Sequence, residues 1–268
     1  MRSIDRRAET CPAVLQSSSK YFHILKYKLS QGPSKVNKSI YGHPDVVEAL
    51  KRLFSCKCSY CEILIDEDGI VEHFIPHCPE RPKLAYDWSN LHWACQSCSQ
   101  RKRKKKYKEY IPRTTIVKNT LLIDPTSQSA PRPEIAIWYD DKLKAYVQNT
   151  FEVNILAIKT VEFINDNLPA TGRLITYASM MRFIAESECI TEWKILSLQD
   201  PIDHKICPNP DVSLKALRAA DRLYKLFLNN TNSFSTSMRF ALGYQLGINA
   251  MDILRMSDYY GIISASAN

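Results

Sequence analysis

The feature that most constrains this chain is a pair of C-x-x-C motifs in its first half. Cys58 and Cys61 form the first motif, Cys95 and Cys98 form the second, and 33 residues separate the two. Two intervening residues let both sulfurs of a pair face one ion, and zinc prefers thiolate ligands. The spacing therefore predicts a structural Zn²⁺ site of four thiolates, with ordinary buried thiols as the alternative.

The other cysteines offer weaker candidates for metal binding. Cys56 could replace Cys58, although its C-x-C spacing to that residue is poorer. Four more cysteines have no partner at a metal-ligand spacing, which indicates core thiols: Cys11, Cys78, Cys189 and Cys207. The total of nine is odd, which argues against a closed disulfide framework. Since no secretion signal opens the chain, we expect a reducing, cytoplasmic location.

The basic charge of the chain is concentrated in its first half. Residues 1–118 contain 22 Lys and Arg against 12 Asp and Glu, whereas residues 119–268 contain 14 against 16. A basic region favours a polyanionic partner, most simply nucleic acid. No run of 18 apolar residues occurs, so we expect no membrane span.

The hydrophobic pattern predicts a mixed first half and a mainly helical second half. A Ser- and Pro-rich stretch at 126–133 is the best boundary between a region 1–125 and a region 126–268. In the first region we predict a helix at 45–54, strands at 63–65, 70–74 and 90–94, and a helix at 95–107. In the second we predict a hairpin at 135–147 and helices at 151–166, 172–187, 211–229 (with Asp211 as N-cap) and 234–257.

An acidic residue and a histidine lie between the two cysteine pairs. Histidine is the side chain that most often acts as general base, and His73 could take a proton from water. The carboxylate of Glu72 offers the hard oxygen ligands that Mg²⁺ or Mn²⁺ prefers. An isolated Glu-His pair is more often structural. His77 follows four residues later and is expected to be an exposed loop histidine.

The whole segment resembles the HNH (ββα-metal) endonucleases. The motifs stand in the family's order as C-S-Y-C, E-H-F-I-P, W-S-N-L, C-Q-S-C and S-Q-R-K over residues 58–102. C-S-Y-C-E, Y-D-W-S-N-L, the M-R-S-I start and L-L-I-D-P at 121–125 look closer still to the Septu PtuB-like and retron-associated HNH proteins of bacterial anti-phage defence. The expected fold is α+β, a small ββα-metal core at 56–108 with a four-cysteine zinc knuckle, within a mainly helical chain.

The resemblance implies a role for each matching residue. His73 would be the general base, Glu72 a ligand of the catalytic cation, and Asn90 would hold the loop between the strands through backbone hydrogen bonds. Ser99 stands where the family usually has Asn or His as the last metal ligand. Ser99 itself, Gln100 or His92 could supply the missing ligand. Otherwise the site is weakened or decayed, and the protein is a zinc-dependent nucleic-acid-binding subunit.

A basic run follows the second cysteine pair. Seven of the eight residues from 101 to 108 are cationic: Arg101, Lys102, Arg103, Lys104, Lys105, Lys106 and Lys108. Like charges four residues apart on a helix repel, so the run predicts an anionic partner. Phosphate contacts carry little sequence information, so DNA is the default and RNA the second candidate. The plainer alternative for the run is a solvated face. A third hypothesis is an interaction protein in which the zinc knuckle only stabilises the fold, and the seven cations of the run argue against it.

The second half contains no catalytic constellation and no P-loop, and the chain has only seven glycines. The resemblance implies a separate ATPase partner, PtuA-like, for which the helical region would be the docking surface. It also implies a retron reverse transcriptase and its nucleic acid as a further partner. A plain stabilising subdomain is the alternative for this region.

Overall fold

The computed structural model describes residues 1–16, 18–29, 36–65, 67–128, 131–140, 145–149, 154–166, 168–187 and 214–266. The chain forms two compact units. The first unit comprises 1–137 and 146–168, and the second comprises 138–145 and 169–268. Helices combine with small two-stranded sheets, so the predicted mixed α and β composition is confirmed.

The first unit is built around an antiparallel hairpin. Strand β1 (Gly69–His73) pairs with β2 (Leu91–Cys95), from Gly69 opposite Cys95 to His73 opposite Leu91. Gly69 is required because a Cβ there would lie 1.9 Å from the ring of Trp93. The predicted strand at 63–65 was wrong, because only Leu64 makes an isolated bridge, to Lys57.

Two helices flank this hairpin along the chain. Helix α3 (Pro44–Phe54) follows the helices α1 (Ser18–Lys28) and α2 (Lys38–Tyr41). It begins one residue before the predicted position 45 and ends at the predicted position 54. The side chain of His43 accepts a hydrogen bond from the Asp45 amide and caps the helix. The residues that this helix buries are Val46, Ala49, Leu50, Leu53 and Phe54.

Helix α4 (Gln96–Lys102) directly follows β2 and is shorter than predicted. The expected helix to Tyr107 was wrong, because a 3-10 turn at Lys105–Tyr107 and strand β3 (Lys108–Tyr110) take its place. Repulsion among the cations of the run disfavours further helical turns. The turn also places the ring of Tyr107 in the core, with no exposed area.

The rest of the first unit packs onto this core. Strand β3 pairs with β4 (Val117–Thr120), and the Ile4 amide donates to the Pro125 carbonyl at 2.7 Å. Helix α6 (Ile155–Asn165) lies in this unit, where Thr160 Oγ1 accepts from the Ile123 amide at 2.8 Å. The boundary between the compact units therefore differs from the predicted boundary between residues 125 and 126. The functional division predicted there stays a prediction.

The remaining elements include a short helix α5 (Pro133–Ala136) followed by the paired strands β5 (Ile137–Asp140) and β6 (Ala145–Gln148). Residues 141–144 of the predicted hairpin lie outside the described residues. The helices of the second unit are α7 (Leu168–Ser187), α8 (Leu214–Leu223) continued by a π-helical turn Tyr224–Leu228, α9 (Ser235–Leu246) and α10 (Ala250–Ser266).

The single helix predicted at 234–257 was wrong. Gly247 adopts a φ of 61° and the Ile248 amide donates to the Leu242 carbonyl, which ends α9 as a glycine typically ends a helix. Asp211, the proposed N-cap of the preceding helix, lies outside the described residues. None of the helices in the described ranges is both long and apolar enough to cross a bilayer.

Candidate metal centre and adjoining pocket

Four cysteine side chains come together beside the end of β2. The sulfur atoms of Cys58, Cys61, Cys95 and Cys98 all lie within 4.8 Å of one another, and those of Cys61 and Cys95 are 3.9 Å apart. A tetrahedral site with Zn–S bonds of about 2.3 Å places its sulfurs about 3.8 Å apart. The cysteines predicted from their spacing thus form a cluster that could hold a zinc ion.

Backbone hydrogen bonds shape the turn that carries the first cysteine pair. The Cys58 amide donates to the Ile63 carbonyl at 2.9 Å, and the Glu62 amide donates to the Cys58 carbonyl at 3.0 Å. Glu62 adopts a left-handed φ of 58°, which closes the turn. The Ser59 amide donates to the Trp93 carbonyl at 2.9 Å. The first pair is therefore anchored on the strand that leads to the second.

The structure shows which of the candidate cysteines belong to the cluster. Among the described residues it contains Cys58 and not Cys56, and Cys11 and Cys78 lie outside it. Cys189 and Cys207 are outside the described residues. Hydrogen bonds from the neighbouring thiols, that of Cys58 first, lower the pKa of Cys95, so this sulfur holds the thiolate most readily.

A cation-rich pocket of about 190 Å³ adjoins the hairpin. Its lining includes five of the residues predicted to act on nucleic acid, Glu72, His73, Lys102, Arg103 and Lys108. His77 and Pro76 complete the lining. Strand β1 supplies the first two and the segment from α4 to β3 supplies the cations. The pocket therefore combines one carboxylate and two imidazoles with a lining suited to an anion.

The ring of His73 is held in one orientation. Its Nε2 lies 3.0 Å from the Ala85 carbonyl, which can only accept, so Nε2 carries the proton and Nδ1 keeps its lone pair. The ring of Tyr41 packs against it edge-on, with centroids 4.8 Å apart. Burial, aided by His77, lowers the pKa of His73 to about 3, so the imidazole is neutral at pH 7. A neutral ring with a free Nδ1 can accept a proton.

The carboxylate of Glu72 already has two partners. Ser99, which is buried, donates from Oγ to Glu72 Oε2 at 2.5 Å, and Lys102 Nζ lies 2.5 Å from Oε1. The same ammonium also donates to the carbonyls of His73 and Phe74. Lys102 is only 3% exposed, so it differs from the surface cations with which it was grouped in the basic run. Burial lowers its pKa although Glu72 opposes that shift.

Asn90 joins the two ends of the loop between β1 and β2. Its Oδ1 accepts from the Ile75 amide at 2.7 Å, and its Nδ2 donates to the carbonyls of Ile75 and Leu84 at 2.9 Å each. The side chain is buried. Because Leu84 immediately precedes the residue that orients His73, these bonds also steady that histidine.

Neither Gln100 nor His92, the alternatives to Ser99 as a ligand of the catalytic cation, contacts Glu72 in the described part of the chain. Gln100 is exposed, and His92 is fully buried with its ring stacked on Phe74 at 5.0 Å. His92 Nε2 is 3.5 Å from Asp124, but burial lowers the pKa of His92 well below its ordinary value, so this contact is not an ion pair at neutral pH. The described partners of the Glu72 carboxylate are Ser99 and Lys102.

The basic run is divided between solvent and two acidic side chains, Glu162 near the end of α6 and Asp166 just after it. Arg103, Lys104 and Lys105 are exposed. Lys106 is exposed too, but its Nζ pairs with Glu162 at 3.0 Å and with Asp166 at 2.9 Å. Arg101 lies 3.9 Å from Asp166. Acidic side chains at the end of α6 thus neutralise part of the run, a pairing that the sequence did not predict.

The comparisons with known proteins give one partial relative. The chain is 36% identical over 78 residues to "Septu protein PtuB" of Bacillus thuringiensis, a match that covers 28% of this chain and 30% of that protein. No family model matches the chain, and no solved structure matches it. The chain therefore shares a segment with a Septu protein, under a third of that relative's length.

Proposed function

We propose that the protein is a metal-dependent HNH-type endonuclease and the effector of a bacterial anti-phage defence system. The observation that carries the proposal is the pocket that Glu72 and His73 line beside a cluster of four cysteines. The order β1, β2, α4 is the order of a ββα-metal core. The partial similarity to Septu protein PtuB supports the defence role.

His73 is the general base of the proposed reaction. Its Nε2–H is bound to the Ala85 carbonyl, which leaves Nδ1 to take a proton from the attacking water. The group is neutral at pH 7, as a general base must be, but a pKa near 3 makes it a weak base until an anion enters the pocket. An anionic phosphate in the pocket favours the imidazolium that forms.

Glu72 and Ser99 are the residues that would hold Mg²⁺ or Mn²⁺. Their oxygens are hard ligands of the kind such an ion prefers, and in this structure the Ser99 hydroxyl instead donates to Glu72 Oε2 at 2.5 Å. Lys102 occupies the other oxygen of the carboxylate and competes for it. When bound, the ion would neutralise charge on the scissile phosphate and its leaving oxygen.

Nucleic acid is the proposed substrate, with DNA as the default and RNA as the second candidate. The exposed cations Arg103, Lys104 and Lys105 would contact phosphates, and these contacts make binding salt-dependent. A separate PtuA-like ATPase is the proposed partner, which the similarity to Septu protein PtuB supports. A retron reverse transcriptase with its nucleic acid is a second proposed partner.

Cleavage of plasmid DNA and of total RNA tests the proposal, with Mg²⁺ or Mn²⁺ and with and without the ATPase. We expect cleavage that His73→Ala abolishes. His43→Asn is the matched control, because that histidine is 40% exposed and asparagine keeps its cap on α3. Equal cleavage by His73→Ala and the wild type would refute the assigned base.

A catalytically decayed nucleic-acid-binding subunit is the second candidate. The observation that favours it is the occupied carboxylate of Glu72, which already has Lys102 and Ser99 as partners. In the described part of the chain, the four cysteines are the one cluster of three or more metal-ligating side chains. Salt-dependent binding without cleavage, even with the ATPase present, would establish this candidate.

A further inference from the structure

A second histidine lines the pocket. His77 lies four residues after His73, and the ring centroids of the two are 4.5 Å apart, nearly perpendicular. Sequence reasoning expected an exposed loop histidine, whereas the ring is only partly exposed and faces the candidate site. The function proposed above assigns it no role.

A buried tyrosine fixes one nitrogen of this ring. Tyr27 Oη lies 2.8 Å from His77 Nδ1, and the ring centroids are 5.4 Å apart. Tyr27 has no exposed area, and burial raises the pKa of its phenol to about 12, so it keeps its proton at neutral pH. A phenol donates more strongly than it accepts, and a neutral imidazole has one accepting nitrogen. The favoured arrangement therefore has Tyr27 donating to His77 Nδ1.

This hydrogen bond sets the tautomer of His77. With Nδ1 as acceptor, the neutral ring carries its proton on Nε2, the nitrogen left for a ligand in the pocket. His73 has the opposite arrangement, because its Nε2 is bound to Ala85 and its Nδ1 is left to accept. One histidine can then take a proton from water while the other donates to an oxyanion. The neighbouring cations Arg103 and Lys108 favour the same anionic ligand.

We propose that His77 binds a non-bridging phosphate oxygen of the substrate through its Nε2–H, and that Tyr27 is the residue that positions it. The inference rests on the proposed function for the identity of its substrate, a phosphodiester. It concerns residues that lie 50 positions apart in the chain and meet through one hydrogen bond.

The first test is ¹⁵N NMR of the histidine rings in the zinc-loaded full-length protein, with inorganic phosphate as the probe. We expect His77 Nδ1 to show the shift of an acceptor and Nε2 that of a protonated nitrogen, and phosphate to move the Nε2 signal. Tyr27→Phe should mix the tautomers. A His77 ring protonated at Nδ1, or one that phosphate leaves unmoved, would overturn the proposal.

The second test separates binding from chemistry. We expect His77→Ala to raise KM for the cleaved nucleic acid about 10-fold or more, as for a lost hydrogen bond to a charged group, with a smaller change in kcat. His77→Gln, which keeps an N–H donor, should restore part of the loss and guards against misfolding of the alanine variant. Tyr27→Phe should raise KM less than His77→Ala.

Tyr86→Phe is the matched control. Tyr86 is equally buried and its hydroxyl accepts from the Asn37 amide at 2.9 Å, so the variant loses one hydrogen bond that does not involve His77. If both phenylalanine variants change KM alike, the effect of Tyr27 is structural and the proposal fails. Should the wild type not cleave, phosphate binding by His77 still decides this inference, so the two failures are distinguishable.

Discussion

Replacing Lys102 by methionine tests whether the buried ammonium holds the candidate site together. Methionine keeps an unbranched stem in the core but removes the charge. The ammonium contacts Glu72 at 2.5 Å and donates to the carbonyls of His73 and Phe74, so its loss leaves a carboxylate without its cation and removes a donor from two carbonyls. Breaking one partner out of a buried ion pair costs about 3–5 kcal/mol.

The exposure of the Glu72 carboxylate determines where the cost of Lys102→Met falls between about 3 and 5 kcal/mol. The side chain of Glu72 is 13% exposed at the pocket, so water screens part of the loss, and we expect about 3 kcal/mol for Lys102→Met. With a urea m value of about 2 kcal/mol/M, the unfolding midpoint should fall by about 1.5 M. The assay is urea unfolding of the zinc-loaded protein followed by circular dichroism.

A double-mutant cycle with Glu72→Gln isolates the pair. Because the uncharged amide no longer needs a cation, the double variant should recover about 2 kcal/mol relative to the sum of the single variants. A coupling below about 0.5 kcal/mol would refute the reasoning, since that is the value of an exposed ion pair. Lys102→Met should also bind Mn²⁺ more tightly than the wild type in calorimetry, because the competing cation is gone. Unchanged or weaker Mn²⁺ binding would show that the two cations do not compete for Glu72.

The other predictions concern zinc, pH and salt. Structural zinc supplies about 10–16 kcal/mol of apparent binding free energy, which matches or exceeds a typical domain's stability of about 5–15 kcal/mol. Cys98→Ser or a strong chelator should therefore unfold the first unit in circular dichroism, whereas Cys11→Ser should not. Since burial holds the pKa of His92 well below 6.5, the unfolded chain binds a proton there that the folded chain does not. His92 alone should thus lower the stability below pH 6.5 by up to about 1.4 kcal/mol per pH unit, and His92→Phe should reduce the observed slope by one proton. Lys105→Ala should lower the salt dependence of nucleic-acid binding by about one phosphate contact, and Lys106→Ala by less, because Lys106 is paired with α6. Equal slopes for the two would show that this pairing yields to phosphate.

Local chemistry was readable from the sequence. The four thiols are defined by spacing within each pair, and one Zn²⁺ bound by all four would join the two pairs whatever the sequence of the intervening chain. The positions of Glu72 and His73 followed from the strand pattern, because their neighbours Ile70 and Val71 favour a strand. Helix α3 was predicted to within one residue at each end, since its apolar period and its terminal signals agree.

Contacts between distant segments were not readable. From the sequence His77 is indistinguishable from an exposed loop histidine, because its partner Tyr27 lies 50 positions earlier in the chain. The sequence does not distinguish Lys102 from the other six cations of the basic run, because its burial depends on how α4 is oriented against β1. Lys106 pairs with acidic residues 56 and 60 positions later, which also explains why a boundary at 125 does not separate the compact units. The end of α9 did have a local signal in Gly247.

Helix α4 belongs to two sites at once. Cys98 on this helix joins the thiol cluster, and the next residue, Ser99, contacts Glu72. A helix of seven residues is too short to be stable alone. The thiol cluster therefore fixes the position of α4 and, through it, the position of Ser99 in the pocket. Variation at position 99 can then retune the pocket while its alignment is preserved. We therefore expect oxidation of the clustered thiols to disturb the pocket as well.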